Sequence, residues 1–203
     1  MQSSPHNGWN VLSKRFLDIS VGGIALLIFA PVMAVVAFAI KCSSRGPVLY
    51  RQERMGLDGR RFQMLKFRTM VADAEESTGP VWATEEDPRV TTLGLWLRQT
   101  SLDELPQLIN VLRGEMSLVG PRPERPPMIE EFRKTVPKYM LRHKVKAGMT
   151  GWAQIHGWRG DTSLQTRIEY DLEYIENWSI GRDIKILFLT LFGGFRNYPT
   201  SHT

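Results

Sequence analysis

Between Val21 and Ile40 the chain runs for twenty residues without a charge (VGGIALLIFAPVMAVVAFAI). A helix needs about twenty such residues to cross a hydrocarbon core, and no other stretch of this 203-residue sequence supplies them. Lys14 and Arg15 stand before the run and Lys41 and Arg45 after it, so the positive-inside rule assigns no orientation. Pro31 lies near its middle, where it withdraws the backbone donor from the Leu27 carbonyl and crowds that oxygen, so a kink is expected. A spanning helix tolerates such a proline when neighbouring spans satisfy the freed carbonyl, and this sequence shows no second span. The break and the cations at both ends favour a re-entrant helix over residues 14–42, entering the membrane and returning to the same face, ahead of a kinked single span. A helix buried in a soluble core is disfavoured, because uniform apolarity over this length is uncommon there.

Outside that element about 160 residues remain, enough for one domain with a modest core. The division expected is a flexible lead over 1–13, the membrane helix over 14–42, a cytoplasmic domain over 43–195 and a tail over 196–203. The apolar run starts late and lacks a small-residue cleavage site, which argues for an anchor and against a removable signal. Cys42 is the only cysteine, so an intrachain disulfide and a cysteine metal cluster are both excluded, and a reducing, cytoplasmic setting fits. Net charge is +5, and the excess is local: from Lys41 to Met70 eight Lys or Arg face only Glu53 and Asp58. Beside an apolar run such a segment favours anionic headgroups. The same charge would suit phosphate-bearing substrates or nucleic acid.

Along the chain the pattern is mixed α/β and mostly helical. Val48–Tyr50 and Arg60–Leu65 flank a turn at Gly56–Gly59 and read as a hairpin of short strands. Lys66–Thr69 (KFRT) follows, with two cations on one face if extended. The acidic, Gly- and Pro-containing stretch Ala72–Asp87 reads as a loop of lid length. Asp87–Thr100 is ambiguous between strand and short helix. Ser101–Gly114 carries a helical stripe of Leu105, Leu108, Ile109 and Leu112. Ser117–Pro127, with four prolines, reads as a stiff extended loop. Helix is expected again over Met128–Lys146 and, amphipathic, over Ser163–Asn177, with a glycine-spaced loop at Gly148–Gly160 between them. Ile184–Phe195 is apolar but too short to span, which suits a helix lying in the membrane interface.

Asp103 and Glu104 are adjacent acids at the start of the Ser101–Gly114 helix, preceded by Arg98 and followed by Pro106. Ser101 and Glu104 have capping-box spacing, and acids are favoured near a helix N-terminus, so a structural cap accounts for them on their own. Pro106, however, falls where the helix needs its N–H, which predicts a distorted turn. An arginine beside such a turn also suits phosphate.

The strings KFRTM (Lys66–Met70), DPRVT (Asp87–Thr91), LRQTSLDELPQLINVLRGEMSLVGPRP (Leu97–Pro123) and GMTGWAQ (Gly148–Gln154) closely resemble the bacterial sugar transferase family, the monotopic polyprenyl-phosphate phosphoglycosyl transferases. The resemblance extends from about Lys14 to Phe192, in fixed order. It implies a membrane helix broken at Ala30–Pro31, a cytoplasmic catalytic domain with interfacial amphipathic helices, and a seat at the cytoplasmic face of the bacterial inner membrane. The implied reaction moves a hexose-1-phosphate from a UDP-sugar to undecaprenyl phosphate and releases UMP, the first membrane step of exopolysaccharide, O-antigen (lipopolysaccharide) or glycoprotein glycan assembly. Asp103 is then the nucleophile, forming an aspartyl phosphosugar, and Glu104 holds Mg2+. Arg98, Lys66, Arg68 and Arg122 become phosphate partners, Arg122 the best of them because Pro121 and Pro123 stiffen it. Trp152 and Trp158 could stack on uracil or sugar, but both suit a headgroup boundary, and Trp158 is read as interface or packing. His156 stands where the family commonly has Asn, which leaves the sugar contacts open. Gly157–Asp161 (GWRGD) and Asn177–Ser179 (NWS) tilt the donor toward UDP-glucose or UDP-galactose. Larger relatives add spanning helices that this sequence lacks, and a homodimer is an open option. Two readings of other classes compete: a non-catalytic basic membrane scaffold, which predicts no magnesium dependence, and a nucleic-acid module, which predicts steeply salt-dependent binding.

Overall fold

Every part of the apolar run is helical in the computed structural model, which describes residues 8–71, 74, 87–158, 160 and 162–193. Helix α1 (Trp9–Ser43) contains it whole, with Pro31 inside and no intervening loop. It begins at Trp9, within what reads in the sequence as a flexible lead. At 1.5 Å per residue, its 35 residues reach about 50 Å. Arg68 closes its far end, donating to Ser44 O, Ser44 Oγ and Arg45 O at 3.0, 2.8 and 2.9 Å.

Strands β1 (Leu49–Met55) and β2 (Arg61–Phe67) form the expected antiparallel hairpin, in register from Leu49↔Phe67 to Met55↔Arg61. The lid reading of Ala72–Asp87 falls almost wholly outside the described residues. The ambiguous stretch after it resolves as helix α2 (Thr92–Gln99), because Thr91 caps it by accepting from Gly94 N at 3.0 Å. A 3-10 turn at Leu102–Glu104 and helix α3 (Gln107–Arg113) then share what reads as one helix, divided at Pro106 as its missing donor requires. The capping box is not formed. Ser101 sits at φ 57 with no side-chain cap bond, a left-handed backbone instead of the extended one an N-cap needs.

Ser117–Pro127 is not loop throughout, since strand β3 (Ser117–Val119) opens it. Met128–Lys146 is not one helix either. Helix α4 (Pro126–Thr135) stops before Pro137, which disfavours helix in the residue preceding it, and a 3-10 segment (Tyr139–Lys144) follows. Gly148–Gly160 supplies strand β4 (Gly148–Thr150), parallel to β3, and the short helix α5 (Trp152–Ile155). Helices α6 (Leu164–Glu176) and α7 (Ile180–Gly193) complete the described chain. The result is a mixed α/β, mostly helical body with two two-stranded sheets and one long apolar N-terminal helix.

Met64, Leu108, Val111, Met116, Leu118, Val119, Tyr174 and Ile186 form the main core, joining β2, α3, β3, α6 and α7. Both halves of α1 dock on this body. In the first half, Lys14 pairs with Asp183 at 2.5 Å and donates to Val119 O at 3.0 Å, while Asp18 accepts from Ser117 Oγ and Leu118 N. In the second half, Val36 and Ile40 are buried with Phe67 of β2 and Leu97 of α2. The opposite side of α1 leaves Phe16, Ile24, Leu27, Ile28, Val35 and Phe38 exposed.

Candidate active site

Asp103 and Glu104 lie in the 3-10 turn that leads into α3, between the end of β2 and the loop after β3. Asn110 sets β2 against this turn. Its side chain accepts from Leu65 N at 3.0 Å and donates to Gln63 O at 2.8 Å, taking the place of a third strand along the free edge of β2. That clamp brings Lys66, the next residue, over Glu104 with Nζ 2.8 Å from Oε1. From the other side Arg122 forks onto the same carboxylate, Nη2 at 2.6 Å from Oε1 and Nη1 at 3.3 Å from Oε2.

The backbone carrying Arg122 is fixed by three close chain crossings. A Cβ on Gly120, Gly148 or Gly151 would stand 2.4, 2.1 or 2.3 Å from backbone atoms of the neighbouring segment, so only glycine fits at each. Buried cations hold the loop from behind. Arg142 donates to Arg122 O at 2.9 Å and pairs with Asp171 at 2.7 Å, Arg54 donates to Pro123 O at 3.1 Å, and Arg167 pairs with Glu124 at 3.0 Å. None of these three arginines stands out in the sequence, where they look like ordinary members of basic surfaces. Their spacing along the chain carries no signal that could have flagged them.

Of the four cations expected at phosphate, the structure gathers three. Lys66 and Arg122 contact Glu104. Arg98 is anchored to Thr69 Oγ1 at 3.0 Å, and burial lowers its pKa against the opposing pull of Asp103. Arg68 does not join them. Its guanidinium is consumed by the end of α1, and it borders a separate cavity of about 550 Å3 lined also by Pro47, Val48, Leu49, Tyr50 and Arg51. The reason is that β2 ends at Phe67, so the face shared by Lys66 and Arg68 in an extended chain is lost after one residue.

The two acids differ sharply. Burial pushes Asp103 up to about 6, against the pull of Lys66 and with Glu104 adding to the rise. Burial acts on Glu104 in the same direction but is outweighed by Arg122 and Lys66, which hold it well below the usual carboxylate range. Among the described residues one acid thus lacks a hydrogen-bond or ion-pair partner and has raised basicity, and the other is clamped in its charged form. Such a pair can offer a nucleophile beside a group of cations able to take phosphate.

Among the described residues no three His, Cys, Asp or Glu side chains are grouped to cage a metal. The donors fit Mg2+ only in its phosphate-borne form, in which one or two carboxylates, water and substrate phosphate oxygens complete the shell. Glu104 can serve there, with Lys66 and Arg122 passing to the phosphates. Trp152 is engaged by packing, with Arg182 over its ring at 4.2 Å and His156 edge-on at 4.2 Å. His156 in turn meets Trp152 O at 2.8 Å and the Tyr170 ring at 5.0 Å. Trp158 lies near Tyr170, as a packing residue should, with ring centroids 6.2 Å apart. Arg159 and Asp161 of the GWRGD string fall outside the described residues.

A model of the bacterial sugar transferases matches residues 9–197. The UDP-glucose:undecaprenyl-phosphate glucose-1-phosphate transferase of Escherichia coli (strain K12) is 51% identical over 97% of this chain and 43% of its own length. The UDP-N-acetylgalactosamine-undecaprenyl-phosphate N-acetylgalactosaminephosphotransferase of Aeromonas hydrophila is 43% identical over 88% of this chain and 42% of its own. The exopolysaccharide production protein ExoY of Rhizobium meliloti (strain 1021) is 39% identical over 89% of this chain and 84% of its own. The chain therefore spans about two fifths of the length of the first two relatives and most of the third.

Proposed function

The chain belongs to the bacterial sugar transferase family, and on that premise we propose that it moves a hexose-1-phosphate from a UDP-sugar to undecaprenyl phosphate, with release of UMP. The observation that carries the reading is the contrast within the acid pair: a buried, unpaired Asp103 beside a Glu104 clamped by Lys66 and Arg122. In the first step an Asp103 carboxylate oxygen bonds to the sugar-bearing phosphorus, and the bond from that phosphorus to the UMP oxygen breaks. In the second, an oxygen of undecaprenyl phosphate attacks the same phosphorus and frees Asp103. Burial without an ion-pair partner leaves Asp103 more basic than a surface carboxylate, and a more basic anion is the better nucleophile. Lys66, Arg98 and Arg122 offset the negative charge that gathers as one anion approaches another. Mg2+, held by Glu104 and the donor's phosphates, would supply further neutralisation when bound.

The sugar favoured is glucose, which the E. coli relative's name supports. The name of the Rhizobium relative supports an exopolysaccharide route. Membrane seating is read as re-entrant and on the cytoplasmic face. A helix that spans puts its ends on opposite sides, whereas both halves of α1 dock on one body. Exposed apolar residues of α1 are joined by Leu95 and Trp96 of α2 and by Ile184, Phe188 and Leu191 of α7, which suits a platform lying in the interface.

The test is UMP release by protein in nanodiscs containing undecaprenyl phosphate, across a panel of UDP-sugars. Release with UDP-glucose above UDP-galactose and UDP-N-acetylgalactosamine is expected. No release with any of them would sink the reading.

A further inference from the structure

Gly114 closes α3 at φ 82, and a Cβ placed there would lie 3.5 Å from Arg15 Cζ, 3.5 Å from Arg15 Nη2 and 3.5 Å from Lys146 Nζ. Two cations therefore border one small space that glycine leaves open. Arg15 is fixed, donating to Val111 O at 2.7 Å and to Leu112 O at 2.6 Å, and a guanidinium so held keeps three further N–H groups. Lys146 is half-buried, and its ammonium has no hydrogen-bond or ion-pair partner among the described residues. Burial, then Arg15, lower its pKa. Among the described residues no acid forms an ion pair with either cation, although Asp18 favours the charged form of Lys146. Asp18 is committed to Ser117, Leu118 and Lys14, and Asp183 to Lys14 and Tyr174.

Two cations at this spacing with no ion-pair partner among the described residues attract a multidentate anion, and phosphate is the oxyanion that guanidinium and ammonium groups bind together. The surroundings narrow the choice. Leu12, Phe16 and Ile19 are exposed on α1 within one turn of Arg15, so the cations lie where an apolar helix surface meets the polar body, the level at which headgroups sit. Basic pockets at that level take anionic lipid headgroups. The seven residues of α3 separate Gly114 from the turn holding Asp103, about 10 Å at the helical rise. A phosphate here is not the one that reacts.

We propose that Arg15 and Lys146 form a binding site for the phosphate of an anionic phospholipid at the boundary where α1 meets the body. The site goes beyond the transfer reaction and rests only on the membrane seating of α1.

The experiment compares full-length wild type, Lys146→Gln, Lys146→Arg and Lys134→Gln, the last an exposed cation on α4. Each is placed in nanodiscs of phosphatidylcholine alone, of an equimolar mixture with phosphatidylglycerol, or of phosphatidylcholine doped with undecaprenyl phosphate. After release into detergent, native mass spectrometry counts the lipids retained. Wild type, Lys146→Arg and Lys134→Gln are expected to keep one phosphatidylglycerol, and Lys146→Gln to keep about five-fold less. Equal loss in Lys134→Gln would overturn the site in favour of diffuse surface charge. Retention of undecaprenyl phosphate in preference to phosphatidylglycerol, dependent on Lys146, would overturn it in favour of an acceptor site. Failure of wild type to enter neutral discs would overturn the membrane seating, and the site with it.

Discussion

Asp103 and Glu104 are one residue apart and held in opposite states, so conservative substitutions should fail differently. Asp103→Asn keeps the shape and removes the attacking charge. Brief incubation of wild type with UDP-glucose and no acceptor should give a sugar-phosphate adduct by intact mass, and Asp103→Asn should give none while still binding donor. Glu104→Gln removes the charge that holds Lys66 and Arg122, so adduct formation should slow by a factor of about a hundred without moving to another residue. A titration elsewhere affects stability. Burial, then the nearby Arg142, lower His143 to about 4, against about 6.5 in an unfolded chain. The unfolded state therefore binds more protons below pH 6.5, and stability is lost as pH falls from there toward 4, by about 2 kcal/mol at pH 5. His143→Asn should flatten that acid limb, which thermal unfolding at pH 7.5 and 5 would show. An unchanged pH slope would mean that His143 is hydrated in the native state. At this scale the sequence exposed the acid pair and the Arg98, Lys66 and Arg122 that the fold gathers near it, because residue type and motif together mark them. It hid Arg54, Arg142 and Arg167, because burial of a cation is a property of packing and leaves no mark on spacing.

Among the elements, the hairpin, α6 and α7 were legible because their periodicity is strong and their turns carry glycine or a capping serine. Strands β3 and β4 were not. Three residues each are too few for a period, and their pairing joins Ser117 to Gly148 across the whole of α4. Their value to the site lies in the crossing at Gly148, where a methyl group would meet Gly120 N at 2.1 Å and Thr150 O at 2.5 Å. Backbone on both sides leaves no side chain to yield. Gly148→Ala should thus cost about 3 kcal/mol or more and displace Arg122, lowering both the melting temperature and the rate. Gly23→Ala in α1, where nothing lies within 4 Å, should change neither. Equal behaviour of the two would show that the crossing relaxes freely.

For the molecule as a whole, the apolar run disclosed a helix long and apolar enough to enter a membrane, whereas the docking that places both of its halves on one body is a tertiary fact. Its consequence for topology can be read with the native Cys42, exposed near the end of α1, and with a Ser13→Cys, Cys42→Ser variant at the start. An impermeant maleimide added to spheroplasts should label neither position, and both should react once the membrane is opened. Labelling of one alone from outside would establish a span. The Lys14–Asp183 pair adds a constraint of timing. Its partners are 169 residues apart in the chain, and at a synthesis rate of 5–20 residues per second roughly 10 to 30 s pass between their appearance. Until Ser117–Val119 are made, the nascent helix presents Lys14 and Asp18 with no described partner but each other, and Lys14 meets Asp183 only when α7 follows. Charges unpaired with the body favour water or headgroups over hydrocarbon, so synthesis order should keep the ribosome-distal end of the helix from sinking before the body can close over it.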